Sequence, residues 1–174
     1  MSEKRIDNER VLILVVGPDG VGKNAFCDCF KNSFLQSLPR HQMDVDEARD
    51  CSFCLVVDAL SDRDIRRIFS LKQKGYRIIC YCLFASRIVC AERRRLEGLR
   101  EGRFVENRNY REDYEDCYTN VLDIYESCDM FFFVTNQKFF SFSGVYTIQE
   151  TPLSRFEKAL RKQKAVVDRI SVHG

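Results

Sequence analysis

Six apolar residues, Val11 to Val16, run without interruption into Gly17-Pro18-Asp19-Gly20-Val21-Gly22-Lys23-Asn24. The apolar, β-branched run reads as a buried strand, and the segment after Gly22 reads as a helix through about Leu38, ahead of Pro39. A strand-to-helix turn with three glycines can bend its backbone so that successive N–H groups point inward. The helix start adds its dipole, and Lys23 adds a positive charge, so the turn suits an anion.

The spacing G-x-x-x-x-G-K is that of a P-loop, which predicts that Gly17, Asp19, Gly20, Val21, Gly22, Lys23, Asn24 and Ala25 hold the phosphates of a nucleoside triphosphate. Asn24 stands where Ser or Thr is expected to ligate Mg²⁺, a cation that demands compact oxygen ligands. Whether Asn24 ligates the metal, holds it through water, or marks a site with weakened catalysis is open at the level of sequence. Asp58 closes the run CLVVD, where a carboxylate at a strand end would sit beside Mg²⁺. Asp19, inside the turn, is a second candidate, as a base or as a turn former.

Further apolar runs alternate with helical patterns. Ser52 to Ala59, Arg77 to Ala85 and Met130 to Thr135 read as strands, with an edge strand suggested by the alternation in Val145 to Ile148. Ser61 with Asp64, and Ser86, are expected helix starts, and Gly75 a stop. Tyr114, Cys117, Tyr118, Val121, Leu122 and Tyr125 fall on one helical face, and Thr151-Pro152 opens a last helix through Ile170. From Arg40 to Asp50 the chain is polar, without clear period. Alternating strands and helices predict a three-layer α/β/α fold with a mostly parallel sheet, residues 1–174 forming one domain.

Seven arginines lie between Arg93 and Arg111, and on a mobile segment such cations could neutralise a transferred phosphoryl group. The helix carrying Arg93, Arg94 and Arg95 is expected to project outward at its end. The competing expectation is a solvated face on which Glu92, Glu97, Glu101 and Glu106 pair with these arginines. Lys plus Arg number 28 against 26 Asp plus Glu, a net charge of +2, which argues against nucleic acid or membrane as the partner. Nine cysteines, several inside apolar runs, and an N-terminus without an apolar signal region predict a cytoplasmic protein with reduced thiols. Cys51 and Cys54 form a C-x-x-C, but no second pair at ligand spacing follows, so zinc is not expected.

The order of these elements resembles the P-loop kinases of nucleoside monophosphates and other small molecules. GYRIICYCLF followed by ERRRLEGLREGRF, the Tyr-rich helix and CDMFFFVTN looks like zeta-toxin-like kinases; VVDALSDRDIRRIF looks like a stretch of animal phosphomevalonate kinases. The resemblance implies a P-loop NTPase fold and transfer of the γ-phosphoryl group of ATP, with Mg²⁺, to a small-molecule or nucleotide acceptor. It puts Lys23 on the phosphates, Asp58 near metal or acceptor, and arginines from Arg94 to Arg103 over the reaction, with Arg94 and Arg103 the catalytic candidates. The stretch from Arg40 to Asp50 is shorter than the acceptor-binding segment such kinases usually carry.

Two other readings compete. A pseudokinase would keep the turn but act as a nucleotide-binding or protein-interaction module, having lost the metal ligand and acceptor segment. The cluster Phe131, Phe132, Phe133, Phe139, Phe140 and Phe142 marks a candidate partner surface if Phe139 to Phe142 lie outside the core; the competing expectation is that these residues pack beneath the final helix. A small GTPase would need DxxG and N-K-x-D, whereas Asp58 is followed by Ala59-Leu60-Ser61, and Asn136-Gln137-Lys138-Phe139 lacks the Asp.

Overall fold

The computed structural model describes residues 10–28, 40–41, 53–106, 109–136 and 147–150. Their first strand, β1 (Val11–Val16), is buried at every position. Side chains alternate between the faces of a strand, so both faces of β1 are covered. Each fully buried Val, Leu or Ile contributes about 1.5–3 kcal/mol relative to exposure. The strand can therefore sit only in the interior of a sheet.

It does. α1 (Lys23–Asp28), β2 (Arg40–His41), β3 (Phe53–Asp58), α2 (Asp62–Gln73), β4 (Arg77–Phe84), α3 (Arg87–Arg100), α4 (Tyr110–Tyr125), β5 (Met130–Thr135) and β6 (Thr147–Glu150) follow in chain order. The sheet order is β2-β3-β1-β4-β5-β6, with β2 to β5 parallel to one another and to β1, and β6 antiparallel to β5. The protein is thus an α/β structure with a mostly parallel sheet. Two residues, Arg40 and His41, make β2, an element that the polar sequence gave no reason to expect. The edge strand is described at Thr147–Glu150, overlapping the alternation that suggested it at Thr147 and Ile148 and continuing to Glu150.

Local signals set the helix ends. Asp64 accepts hydrogen bonds from the Ser61 N–H (2.9 Å) and hydroxyl (2.5 Å), which fixes the entry to α2. Gly75, at φ 84°, turns the chain after α2 as expected. The Ser86 hydroxyl accepts from the Val89 N–H at the start of α3. Cys80 and Cys82 are fully buried on one face of β4, small core side chains as their spacing implies. The expected helix from Pro152 to Ile170, the last part of the helix to Leu38, Cys51, and Phe139 to Phe142 lie outside the described residues.

Candidate functional site

Register brings the site residues together at the carboxyl ends of the central strands. Val16 pairs with Asp58 on one side and Cys82 on the other, so the turn leaving β1 emerges between the ends of β3 and β4. Gly17, Gly20 and Gly22 all have positive φ, of 153°, 82° and 96°. At Gly20 glycine is also needed for space: a Cβ would collide with the Cys90 carbonyl of α3 and come within 3.0 Å of Arg94 Cγ. Val21 is fully buried and anchors the turn in the core.

Lys23 folds back over the turn. Its ammonium donates to the carbonyls of Gly17 (2.8 Å) and Pro18 (3.2 Å) and lies 3.5 Å from the carboxylate of Asp19, whose side chain is largely exposed. An anion entering the turn would meet this charge at its centre. Asn24 is exposed and Ala25 half-buried, both at the start of α1.

Half-buried Asp58 keeps one oxygen on the Ala59 N–H at 2.7 Å. Burial raises its carboxyl above the ordinary 3.8, opposed by that N–H and by the charge of Lys23, and reinforced by Asp64 and Asp19. Its other oxygen accepts no hydrogen bond among the described residues.

A cleft of about 520 Å³ gathers Asp19, Gly20, Gly22, Lys23, Asn24 and Ala25 with Arg93, Arg94, Glu97, Arg103, Val105 and Asn136. The chemistry of the three guanidiniums differs. Arg93 is only 5% exposed and belongs to the framework: it donates to the carbonyls of Gly20 (3.4 Å), Val21 (3.2 Å) and Asn136 (3.1 Å), and to the Asn136 amide oxygen (3.2 Å). Arg94 packs its guanidinium 4.2 Å from the centre of the Tyr110 ring. Arg103 is paired with Glu101 and exposed. Arg95 pairs with Glu92, and Arg111 with Glu115. Burial, stacking and surface pairing thus divide the described arginines, so they do not form one solvated face. The end of α3 does not simply project outward, since Gly98 packs against Val105, while Leu99 and Phe104 are exposed.

Comparison with protein-family models and with curated proteins returned no match.

On the other side of the turn, a cavity of about 830 Å³ is bounded by Pro18 and Asp19, by Ser61, Arg63 and Arg66, and by Tyr110, Asp113, Asp116 and Asn120. Asp58 lines neither cavity. Among the described residues no group of three or more His, Cys, Asp or Glu side chains is arranged to hold a metal. No helix among them is long and apolar enough to cross a membrane.

Three tyrosines of α4, spaced by four, span this region. Tyr110 donates to the Asp19 carbonyl (2.6 Å), Tyr114 to Ala85 (2.7 Å) and Tyr118 to Leu83 (2.9 Å). Burial, then the neighbouring Cys90, pushes the Tyr110 phenol far above its ordinary value, so it remains a donor. The sequence marked the helical face of Tyr114 and Tyr118 but missed Tyr110, one turn earlier on that face. The i, i+4, i+8 recurrence of Tyr was the signal available.

Proposed function

We propose that this chain is a P-loop NTPase-type kinase with a three-layer fold, which binds a nucleoside triphosphate on the Gly17–Asn24 turn and passes its γ-phosphoryl group to a small acceptor. The observation that carries the reading is the convergence of the glycine turn, Lys23 and Arg94 on one polar cleft beside a second cavity. Phosphoryl transfer depends on positioning and on cations around the moving group. Here the acceptor oxygen forms the new P–O bond as the bond to the β,γ-bridging oxygen breaks, and the nucleoside diphosphate leaves. Lys23 exchanges the Gly17 and Pro18 carbonyls for phosphate oxygens, and Arg94 and Arg103 face the same cleft. The second cavity is assigned to the acceptor.

Mg²⁺ fits this donor set. Such ions are held by one or two protein oxygens together with substrate phosphates, so a full protein cage is not required. Asn24, which lines the cleft, and Asp58, which lies outside its lining but close enough to feel the charge of Lys23, are the residues that would hold it, through the amide carbonyl and the carboxylate oxygen not engaged by Ala59. When bound, the ion neutralises negative charge on the phosphate oxygens.

Isothermal titration with ATP and GTP, each with and without Mg²⁺, tests the reading. ATP binding should strengthen with Mg²⁺ and weaken about 10- to 100-fold in Lys23→Ala, the loss expected for one charged hydrogen-bond donor. Absence of binding at millimolar nucleotide would defeat it. Asn24 favours a second reading, a nucleotide-binding module without transfer; that reading gains if ATP binds but no acceptor increases its turnover.

A further inference from the structure

Asp19 and Tyr110 both border the acceptor cavity, while Asp19 and Arg94 both border the cleft. The Arg94–Tyr110 stack thus stands with Asp19 at the partition between the two spaces. Tyr110 is 5% exposed, held by its hydroxyl on the Asp19 carbonyl at 2.6 Å and by an edge-on contact with Tyr114 at 6.3 Å between ring centres. Such a ring cannot swing, whereas an arginine has many rotamers and loses entropy when it is fixed. A cation over an aromatic face is attracted to the ring's negative quadrupole. The stem of Arg94 is confined as well, since Gly20 lies against its Cγ.

We infer that Tyr110 is a positioning residue, whose ring holds the Arg94 guanidinium at the boundary of cleft and acceptor cavity, where it engages the terminal phosphate of the nucleotide. The inference rests on the kinase reading and adds a division of labour within it. The Tyr110 hydroxyl fixes the turn, and the Tyr110 ring fixes the cation. On this assignment the third phosphate is the one that reaches the partition, so Arg94 distinguishes a triphosphate from a diphosphate.

The experiment compares ATP·Mg²⁺ and ADP·Mg²⁺ affinities in the full chain. Arg94→Met should lower the preference for ATP over ADP. Tyr110→Phe keeps the ring and should retain that preference, even if both affinities fall together as the turn loosens. Pentafluorophenylalanine incorporated at position 110 keeps a planar ring of similar size while reversing its quadrupole, so the attraction for the guanidinium turns into repulsion, and a urea denaturation curve verifies that the fold is kept. Relative to Tyr110→Phe it should lower the ATP preference about three- to fivefold, toward the Arg94→Met value. Equal affinities and equal preference in the Phe and pentafluoro variants would overturn the positioning role with nucleotide binding intact. Loss of the preference in Tyr110→Phe itself would overturn it too. If the unsubstituted protein binds neither nucleotide, the kinase reading fails first, and this inference with it.

Discussion

Arg93 and Asn136 lock the glycine turn after β1 to the far end of β5. One guanidinium nitrogen of Arg93 donates to both the carbonyl and the amide oxygen of Asn136, and the Asn136 amide donates in turn to the Val21 carbonyl at 2.9 Å. Turn, α3 and β5 meet in this buried polar knot. An unpaired charge there would be costly, and the carbonyl acceptors offset that cost.

Removing the guanidinium should therefore destabilise the fold rather than only the site. Arg93→Met leaves buried carbonyls unsatisfied, for about 2–4 kcal/mol, and Arg93→Lys recovers only part because an ammonium cannot span the same fork. Urea denaturation reads this directly. A loss below 0.5 kcal/mol, the range of ordinary surface substitutions, would contradict it.

Gly20 and Gly75 make a matched pair with opposite spatial constraints. Both have positive φ, 82° and 84°, but a Cβ on Gly75 meets nothing within 4 Å, whereas on Gly20 it meets the backbone of α3. Gly75→Ala should cost about 1–2 kcal/mol, the left-handed penalty alone. Gly20→Ala should cost more and also displace the turn, which under the proposed function lowers nucleotide affinity. Similar losses in the two variants would show that the approach to α3 does not matter.

Asp129 gives the stability a pH dependence. Burial acts to raise its carboxyl, but the Lys72 ammonium at 2.6 Å and the Ile78 N–H at 2.7 Å outweigh it, and the net shift is below the ordinary 3.8. With the folded value below the unfolded one, the contribution is present above about pH 4 and disappears as pH falls through the folded value. The pair is more than a third exposed at Lys72 and about a third at Asp129, so solvent screening keeps the effect small. Asp129→Asn should lower the denaturation midpoint at pH 7, and the gap to wild type should narrow as the pH falls below about 4. A gap that does not change with pH would refute the assignment.

The cysteines around the site should be chemically silent. Burial pushes Cys90 and Cys117 up to about 12, despite the nearby charges of Arg93 and Lys23 respectively. At pH 8 about one thiol in ten thousand is then ionised, and both are enclosed. Iodoacetamide followed by peptide mass spectrometry should leave both unlabelled in the folded protein and label both in denaturant. Rapid labelling of Cys90 under native conditions would mean that the turn and α3 separate.

The strands were legible because Val11–Val16, Phe53–Asp58, Arg77–Phe84 and Met130–Thr135 are apolar runs of strand length, and burial on both faces of a parallel strand demands that composition. Arg40–His41 was not, since two polar residues carry no period. The turn was legible from its glycines and lysine. What the sequence hid was the fate of three consecutive arginines. A helix advances about 100° per residue, so Arg93, Arg94 and Arg95 must point in different directions, yet nothing in their identity says which faces inward. Only the packing of α3 against Gly20 decides that Arg93 is buried, that Arg94 borders the cleft and that Arg95 reaches solvent.

β1 pairs with β3 on one edge and β4 on the other, yet it is synthesised before either. As the chain leaves the ribosome, six apolar residues with both hydrogen-bonding edges open must wait for residue 58 to close one side and residue 82 to close the second. Exposed strand edges of this kind recruit other nascent chains. The segment that delivers the glycine turn to its place is thus also an aggregation-prone stretch of the newborn polypeptide, and expression of this protein should respond to chaperone capacity and growth temperature.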